Sequence, residues 1–267
     1  MYPKQLESDR KVNANPKPYA TVSLYGVPFS KMDMQETVAY LAEAIESKRP
    51  QRVITGNPIM LMVGLENPSF HHTLATADLV VPDGSGVVWA ARRLRQPVKE
   101  RVAGFDLMHE LLKEGNLRGW KAYLLGATAE VIEAAQEKLK ARFPGVRFVG
   151  CRDGYFTDKE DGSVVAAIRE ANPDLLFVAR STMNQEPWIE KYQSVLGVPV
   201  VMGVGGSFDV VSGKLKRAPA IFRKAGMEWL YRLLQEPSRF KRMLVLPRFA
   251  LKVIKDGDKV LKHPNPS

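Results

Sequence analysis

The chain has 267 residues, with 39 Lys+Arg against 29 Asp+Glu for a formal net charge of +10, 45% apolar residues and 25% charged ones. That balance excludes a disordered chain, and the length suffices for one large core or a core with an appendage. The single cysteine, Cys151, excludes an internal disulfide framework and a thiolate metal cluster, and no stretch approaches the roughly 18 apolar residues of a membrane span.

Residues 1–19 carry Pro3, Pro16 and Pro18 among polar residues. They read as a flexible leader without the apolar segment of a secretion signal, so a cytoplasmic protein is expected. From Thr21 onward, short β-branched apolar runs alternate with segments of helical period. The predicted strands are Thr21–Tyr25, Arg52–Thr55, Leu79–Val81, Ala122–Leu125, Val146–Val149, Leu175–Val178 and Pro199–Met202. Several are continuously apolar, as strands covered on both faces are. Between them, Asp33 and Glu36 form a capping box ahead of Val38, Leu41, Ala42 and Ile45, Pro58 suits a first helical position, and a helix over Ala129–Phe143 stops at Pro144-Gly145. This alternation predicts an α/β fold over residues 20–212, a Rossmann-like, doubly wound, mainly parallel sheet. Ligands in such sheets sit beyond the carboxyl ends of the strands.

After Ser212 the pattern is helical only. Residues 219–236 read as one helix with Met227, Leu230, Tyr231 and Leu234, and Pro237 and Pro247 could each open a shorter one. Between Lys214 and Lys262, fourteen cations face four acids, an excess equal to the whole net charge. Residues 213–267 are therefore a basic helical appendage on a nearly neutral core. Leu, Phe, Met and Trp229 among the cations suit an interfacial membrane anchor. A helical cap with a solvated basic face is the alternative, and no motif for nucleic acid is present.

Polar residues gather at the predicted strand ends. Thr55-Gly56-Asn57-Pro58 follows the second strand, Pro82-Asp83-Gly84-Ser85-Gly86 the third, Gly126-Ala127-Thr128 the fourth and Gly203-Val204-Gly205-Gly206-Ser207 the last. Asp83 stands where a general base would stand, or it caps the next helix. The glycine loops suit a phosphate or nucleotide but lack the dinucleotide fingerprint. Gln185-Glu186 could contact a nucleotide or sugar or simply begin a surface helix. Tyr155 could stack on a base or join the core, and Asp209 could bind ribose hydroxyls or cap a turn. An Asp-x-Asp pair able to hold a divalent ion occurs only as Asp256-Gly257-Asp258 in the basic tail, and is read as chance. On a diphosphate, cationic side chains would then take the metal's role.

The segments TGNP, ADLVVPDGSGVVWAARRL, ERVAGFDL, YLLGA, PGVRFVGCRDGYF, PDLLFVA, QEPWI, GVGGSFDVVSGKLKRAP and MEWLYRLLQEPSRFKR, in order over roughly residues 20–250, resemble the WecG/TagA/CpsF family of glycosyltransferases. The resemblance implies an inverting, metal-independent transfer of a sugar, often N-acetylmannosamine, from a UDP-sugar to polyprenyl-diphosphate-linked N-acetylglucosamine. Such products feed teichoic acid, common antigen or exopolysaccharide, and the enzyme would sit peripherally on the inner face of the cell membrane. It implies Asp83 as the base, Thr55 and Asn57 beside it in the acceptor and sugar pocket, and Arg101 and Gln185 lining the site. Tyr155 and Asp209 would hold uracil and ribose, with Gly203, Gly205 and Gly206 close to the nucleotide. Arg232, Arg239 and Arg242 would close over the diphosphate. No cofactor, metal or nucleic-acid partner is expected beyond the UDP-sugar and lipid-linked acceptor, and apolar helix faces leave room for a homodimer or homotrimer. One segment departs from the family pattern Gly-x-Pro-x-Gln-Glu: here Arg180-Ser181-Thr182-Met183-Asn184 precedes Gln185-Glu186. The expected consequence is changed donor specificity or lowered activity, and the rival reading is a catalytically weak nucleotide-sugar-binding or membrane scaffold protein.

Overall fold

Tyr25 and Gly26 reverse the chain between the first two strands, β1 (Thr21–Leu24) and β2 (Val27–Ser30), which pair antiparallel with Thr21 opposite Ser30. Both turn residues have positive φ, 51° and 82°, as a two-residue hairpin turn matching strand twist demands. β2 lies outside the predicted strands because Pro28 interrupts its apolar run. The sheet tolerates that proline because β2 registers with its other neighbour only at Phe29–Val80. The structure, a computed structural model, describes residues 17–262. Of the predicted leader, residues 1–16 lie outside the described residues, and its end is tied down: Lys17 Nζ donates to the carbonyls of Ala77 and Asp78, and the Tyr19 hydroxyl to that of Asp78.

The remaining elements follow in α/β alternation: α1 (Met34–Glu46), β3 (Gln51–Gly56), α2 (Pro58–Glu66), α3 (Pro68–Ala75), β4 (Leu79–Pro82), α4 (Ser85–Arg93), α5 (Gly104–Arg118), β5 (Lys121–Gly126), α6 (Ala129–Arg142), β6 (Arg147–Arg152), α7 (Asp161–Ala171), β7 (Leu175–Ala179), α8 (Thr182–Leu196), β8 (Val200–Gly203) and α9 (Ser207–Val211). The eight strands lie in the order β1-β2-β4-β3-β8-β7-β5-β6, parallel throughout except for the β1–β2 hairpin. The α1 capping box forms as its sequence predicts, and Pro58 opens α2. Alternate strand residues face opposite sides. Val53, Val81, Leu124, Phe177 and Met202 share one core with α1, α5, α6 and Phe208 of α9. Ile54 and Val80 pack with α2, α3 and α4, while Leu125, Val178 and Val201 pack with α7 and α8.

The basic C-terminal region divides in two. The predicted single helix over 219–236 is split into α10 (Ala220–Lys224) and α11 (Glu228–Gln235) at Gly226, whose φ of 70° ends the first piece. A tight turn, Pro237–Arg239, leads to α12 (Phe240–Met243), and α11 and α12 bury no residue. The next helix, α13 (Val245–Asp256), instead packs on α2 and α4 and sinks Phe249 and Val253 into their core. Pro247 lies inside its first turn rather than opening it. Beyond it, the Val260 carbonyl accepts the Tyr25 amide at 2.6 Å. Asp256 is bound to the Tyr25 hydroxyl and to Lys252, each at 3.0 Å, so this member of the Asp-x-Asp pair has a structural role. Among the described residues, no helix is long and apolar enough to cross a membrane.

This division is measurable in denaturant melts. Phe249→Ala is expected to cost about 3–5 kcal/mol, whereas Phe240→Ala, at an exposed position on α12, stays within about 0.5 kcal/mol.

Candidate active site

A cavity of about 640 Å³ opens between the carboxyl ends of β3, β4 and β8 and a roof formed by residues 214–244. Its floor carries Thr55, Asn57 and Asp83, and its walls and roof carry Arg101, Arg217, Glu228, Arg232 and Arg242. An apolar side is made by Trp89, Trp229, Met243, Leu246 and Phe249.

Asp83 is placed by its backbone. Its amide donates to the Gly56 carbonyl at 2.9 Å, and the Val102 amide donates to the Pro82 carbonyl at 3.0 Å, so the segment of Arg101, between α4 and α5, is tied to the end of β4 that leads into Asp83. Gly84, at φ 105°, then turns the chain into α4 with a conformation that L side chains rarely adopt. α4 has no side-chain cap, so Asp83 does not cap the helix that follows it. Its Oδ2 instead accepts the amide of Gly104, the first residue of α5, at 3.2 Å. Burial is the largest influence on this carboxyl and raises its pKa to about 6, against the opposing pull of the Gly104 amide and the Arg101 guanidinium. Glu228 and Asp106 add to the rise. A carboxylate that titrates near neutrality and faces a cavity is suited to proton abstraction.

The neighbouring groups are fixed from several elements. The Thr55 hydroxyl donates to the Gly203 carbonyl at 3.4 Å, and its methyl abuts Gly104, where a Cβ would not fit. Asn57 Oδ1 caps α2, accepting the amides of Ile59 and Met60. Arg101 is paired with Glu228 at 2.5 Å, and Arg217 with Asp106 at 2.5 Å while it lies 4.4 Å over the Phe105 ring. The Arg232 guanidinium rests against Gly206, where a Cβ would push the end of that side chain aside. Arg239 belongs to the Pro237–Arg239 turn, and its side chain lies outside the described residues.

The other predicted residues stand beside the cavity rather than in its lining. Gln185 and Glu186 are buried, not the surface helix start that their composition allowed. Gln185 Oε1 accepts the amides of Arg180 at 3.3 Å and Gly205 at 3.1 Å, while its Nε2 donates to Glu186 at 2.6 Å. It thereby braces the ends of β7 and β8 together, and Gly203 supplies the space both side chains occupy. Burial drives the Glu186 pKa up to about 7, against the Gln185 hydrogen bond and the Arg52 charge. Tyr155 is 79% exposed in the loop after β6, belonging neither to the core nor to the cavity. Asp209, in the first turn of α9, lies 3.7 Å from Lys214. Ser181, where the family pattern has glycine, has φ −62° and ψ 143°, a conformation open to any residue, so the replacement entails no backbone strain. Arg180 is held by the Phe156 ring at 4.2 Å.

Four cavity residues, Ser85, Arg217, Glu228 and Trp229, were not singled out as site residues by sequence reasoning. The available signal was Glu228's standing as one of four acids among fourteen cations. Among the described residues, no group of three or more His, Cys, Asp or Glu side chains is arranged to hold a metal ion.

Residues 22–262 match the family described as the Glycosyl transferase WecG/TagA/CpsF family. A relative from Staphylococcus aureus strain MW2 is 38% identical over 245 residues, 91% of this chain and 96% of its own. One from Bacillus subtilis strain 168 is 34% identical over 248 residues, 92% and 96% of the two chains, and one from Bacillus spizizenii is 38% identical over 203 residues, 76% and 78%. All three are named N-acetylglucosaminyldiphosphoundecaprenol N-acetyl-beta-D-mannosaminyltransferase.

The buried Glu186 carboxyl makes stability depend on pH. Between pH 4.5 and 7 it is protonated when folded and ionised when unfolded, so folding loses stability as pH rises through that window. In thermal melts from pH 4.5 to 8, wild type should therefore lose stability relative to Glu186→Gln, by up to roughly 3 kcal/mol.

Proposed function

The chain belongs to the WecG/TagA/CpsF family of glycosyltransferases, and from that premise we propose that it moves N-acetylmannosamine from UDP-N-acetylmannosamine to polyprenyl-diphosphate-linked N-acetylglucosamine, in the synthesis of a cell-surface polysaccharide. The observation that carries this reading is Asp83, a carboxyl with a pKa of about 6, facing a cavity whose walls and roof bear Arg101, Arg217, Arg232 and Arg242. Asp83 takes the proton of the acceptor sugar's hydroxyl as that oxygen attacks the anomeric carbon from the face opposite the diphosphate. The C–O bond to UDP breaks as the new glycosidic bond forms, so configuration inverts. Charge accumulates on the departing diphosphate, and arginines fixed around the cavity oppose it without reorganising. In this reading guanidinium groups do what a divalent ion does in other sugar transferases, and the transfer needs no metal.

The acceptor's two ends match the two sides of the cavity. Its sugar belongs at the polar floor with Thr55, Asn57 and Asp83, and its lipid at the apolar side with Trp89, Trp229, Met243 and Leu246. The roof and α13 expose Ile221, Leu234, Phe240, Leu244, Leu251 and Ile254 among cations, the composition of a surface that enters the headgroup layer of an anionic bilayer. We place the enzyme peripherally on the inner face of the cell membrane, where the lipid-linked acceptor is held.

Acceptor-dependent UDP release from UDP-N-acetylmannosamine tests the reaction. Asp83→Asn should lower kcat by about 10²–10⁴-fold, and wild-type kcat/KM should fall below pH 6 as the base becomes protonated. Chelators should leave the rate unchanged. An absence of release with this or any other UDP-sugar would favour the binding-protein reading. For the membrane, Ile221→Ser with Phe240→Ser should cut co-sedimentation with phosphatidylglycerol vesicles several-fold, and unchanged retention would contradict the docking surface.

A further inference from the structure

Glu228 is an acid in a cavity otherwise furnished with cations for an anionic ligand. It stands in the first turn of α11, on the roof, and its Oε2 meets Arg101 Nη2 at 2.5 Å with both side chains mostly withdrawn from water. Arg101 itself belongs to the core, on the segment that runs beside Asp83. We propose that Glu228 is a positioning residue for the base: by holding the Arg101 guanidinium, it keeps that cation from pairing fully with Asp83, and it does so only while the roof is seated. Roof closure and the proton affinity of the base are then one event. This inference rests on Asp83 being the base.

The charges facing Asp83 are few. Arg101 favours its carboxylate, as does the Gly104 amide of α5. Glu228 from α11 and Asp106 from α5 disfavour it, and Asp106 is itself held by Arg217. Lys216, Arg232 and Arg242 line the same cavity from the roof. Within this set Glu228 acts twice, as a like charge on Asp83 and as the partner that occupies Arg101. With Glu228 gone, Arg101 turns its full charge toward Asp83 and the carboxyl becomes a weaker base. A lifted roof has the same consequence, so a base of useful strength exists only in the closed site.

The carboxyl titration of Asp83, followed by ¹³C NMR in the unliganded protein, reads this without any need for turnover. Glu228→Gln should lower the midpoint by about one pH unit, a roughly tenfold change in proton affinity. Ser85→Ala, which removes the 2.9 Å tie from Ser85 Oγ to the Gly226 carbonyl and leaves both charges, should leave the midpoint in place. Glu228→Asp should fall between wild type and Glu228→Gln. In turnover, the acid limb of kcat/KM should move with the NMR midpoint and the plateau should fall, whereas loss of the Ser85 tie, which leaves Glu228 on Arg101 and the roof seated, raises KM and leaves the limb unmoved. An unmoved midpoint in Glu228→Gln, or an equal shift in Ser85→Ala, would overturn the proposal. A shifted midpoint in a protein that transfers no sugar would leave the inference standing and overturn the proposed function instead.

Discussion

Polar ties, rather than a shared apolar core, hold residues 214–244 over the strand ends. The ties include Arg101 to Glu228, Arg217 to Asp106, Lys214 to Asp209, the Leu215 amide to the Asp209 carbonyl and the Ser85 hydroxyl to the Gly226 carbonyl. Ion pairs with part of each side chain in water and single hydrogen bonds each contribute about 1 kcal/mol. The adjoining α13, by contrast, is anchored by Phe249 and Val253 inside the core. A segment held in this way opens at far lower cost than the domain unfolds, as the proposed transfer from a nucleotide sugar to a lipid-linked acceptor requires. In the proposed reaction the same ties also seat Glu228 against Arg101, beside the base.

Two carboxyls in this region are forced toward neutrality by burial, and they serve different ends. Glu186 is locked beneath Gly203 and spends its acceptor oxygen on Gln185, so its effect is to fix two loops. Asp83 shares its hydrogen-bonding with one helix amide and otherwise faces the cavity. Both sacrifice stability at neutral pH, a cost that natural proteins concentrate at functional sites. The difference lies in access: a proton on Glu186 has nowhere to go, whereas one on Asp83 can be exchanged with a bound hydroxyl.

The sheet was legible in the sequence because short β-branched apolar runs, several of them continuous, alternate with helical segments, and seven of the eight strands are visible that way. β2 was hidden by Pro28, whose missing donor matters little on so short a pairing. Asp83, Thr55 and Asn57 could be found because strand ends in a doubly wound sheet are where ligands gather, and all three reach the cavity. The C-terminal region was harder. Its charge was plain, but the break at Gly226 is one residue's left-handed turn and the sinking of Phe249 into the core depends on contacts of α13 with α2 and α4, neither of which apolar periodicity encodes. Gln185 was found for its polarity, yet the role of its side chain depends on the Gly205 amide twenty residues on, which no local pattern specifies. Glu228 escaped notice because a lone acid among cations reads as a solvated helix residue until Arg101 is placed opposite it.

A roof held by weak ties opens locally in the unliganded protein and is seated by the substrates. Native-state hydrogen exchange measures it directly, comparing amides of α11 and α12 with those of α13 in the unliganded protein and with UDP-N-acetylmannosamine and a short-chain acceptor bound. The account predicts that α11 and α12 exchange orders of magnitude faster than α13 and slow sharply when both substrates are present. Equal protection of all three helices in the unliganded protein would contradict it.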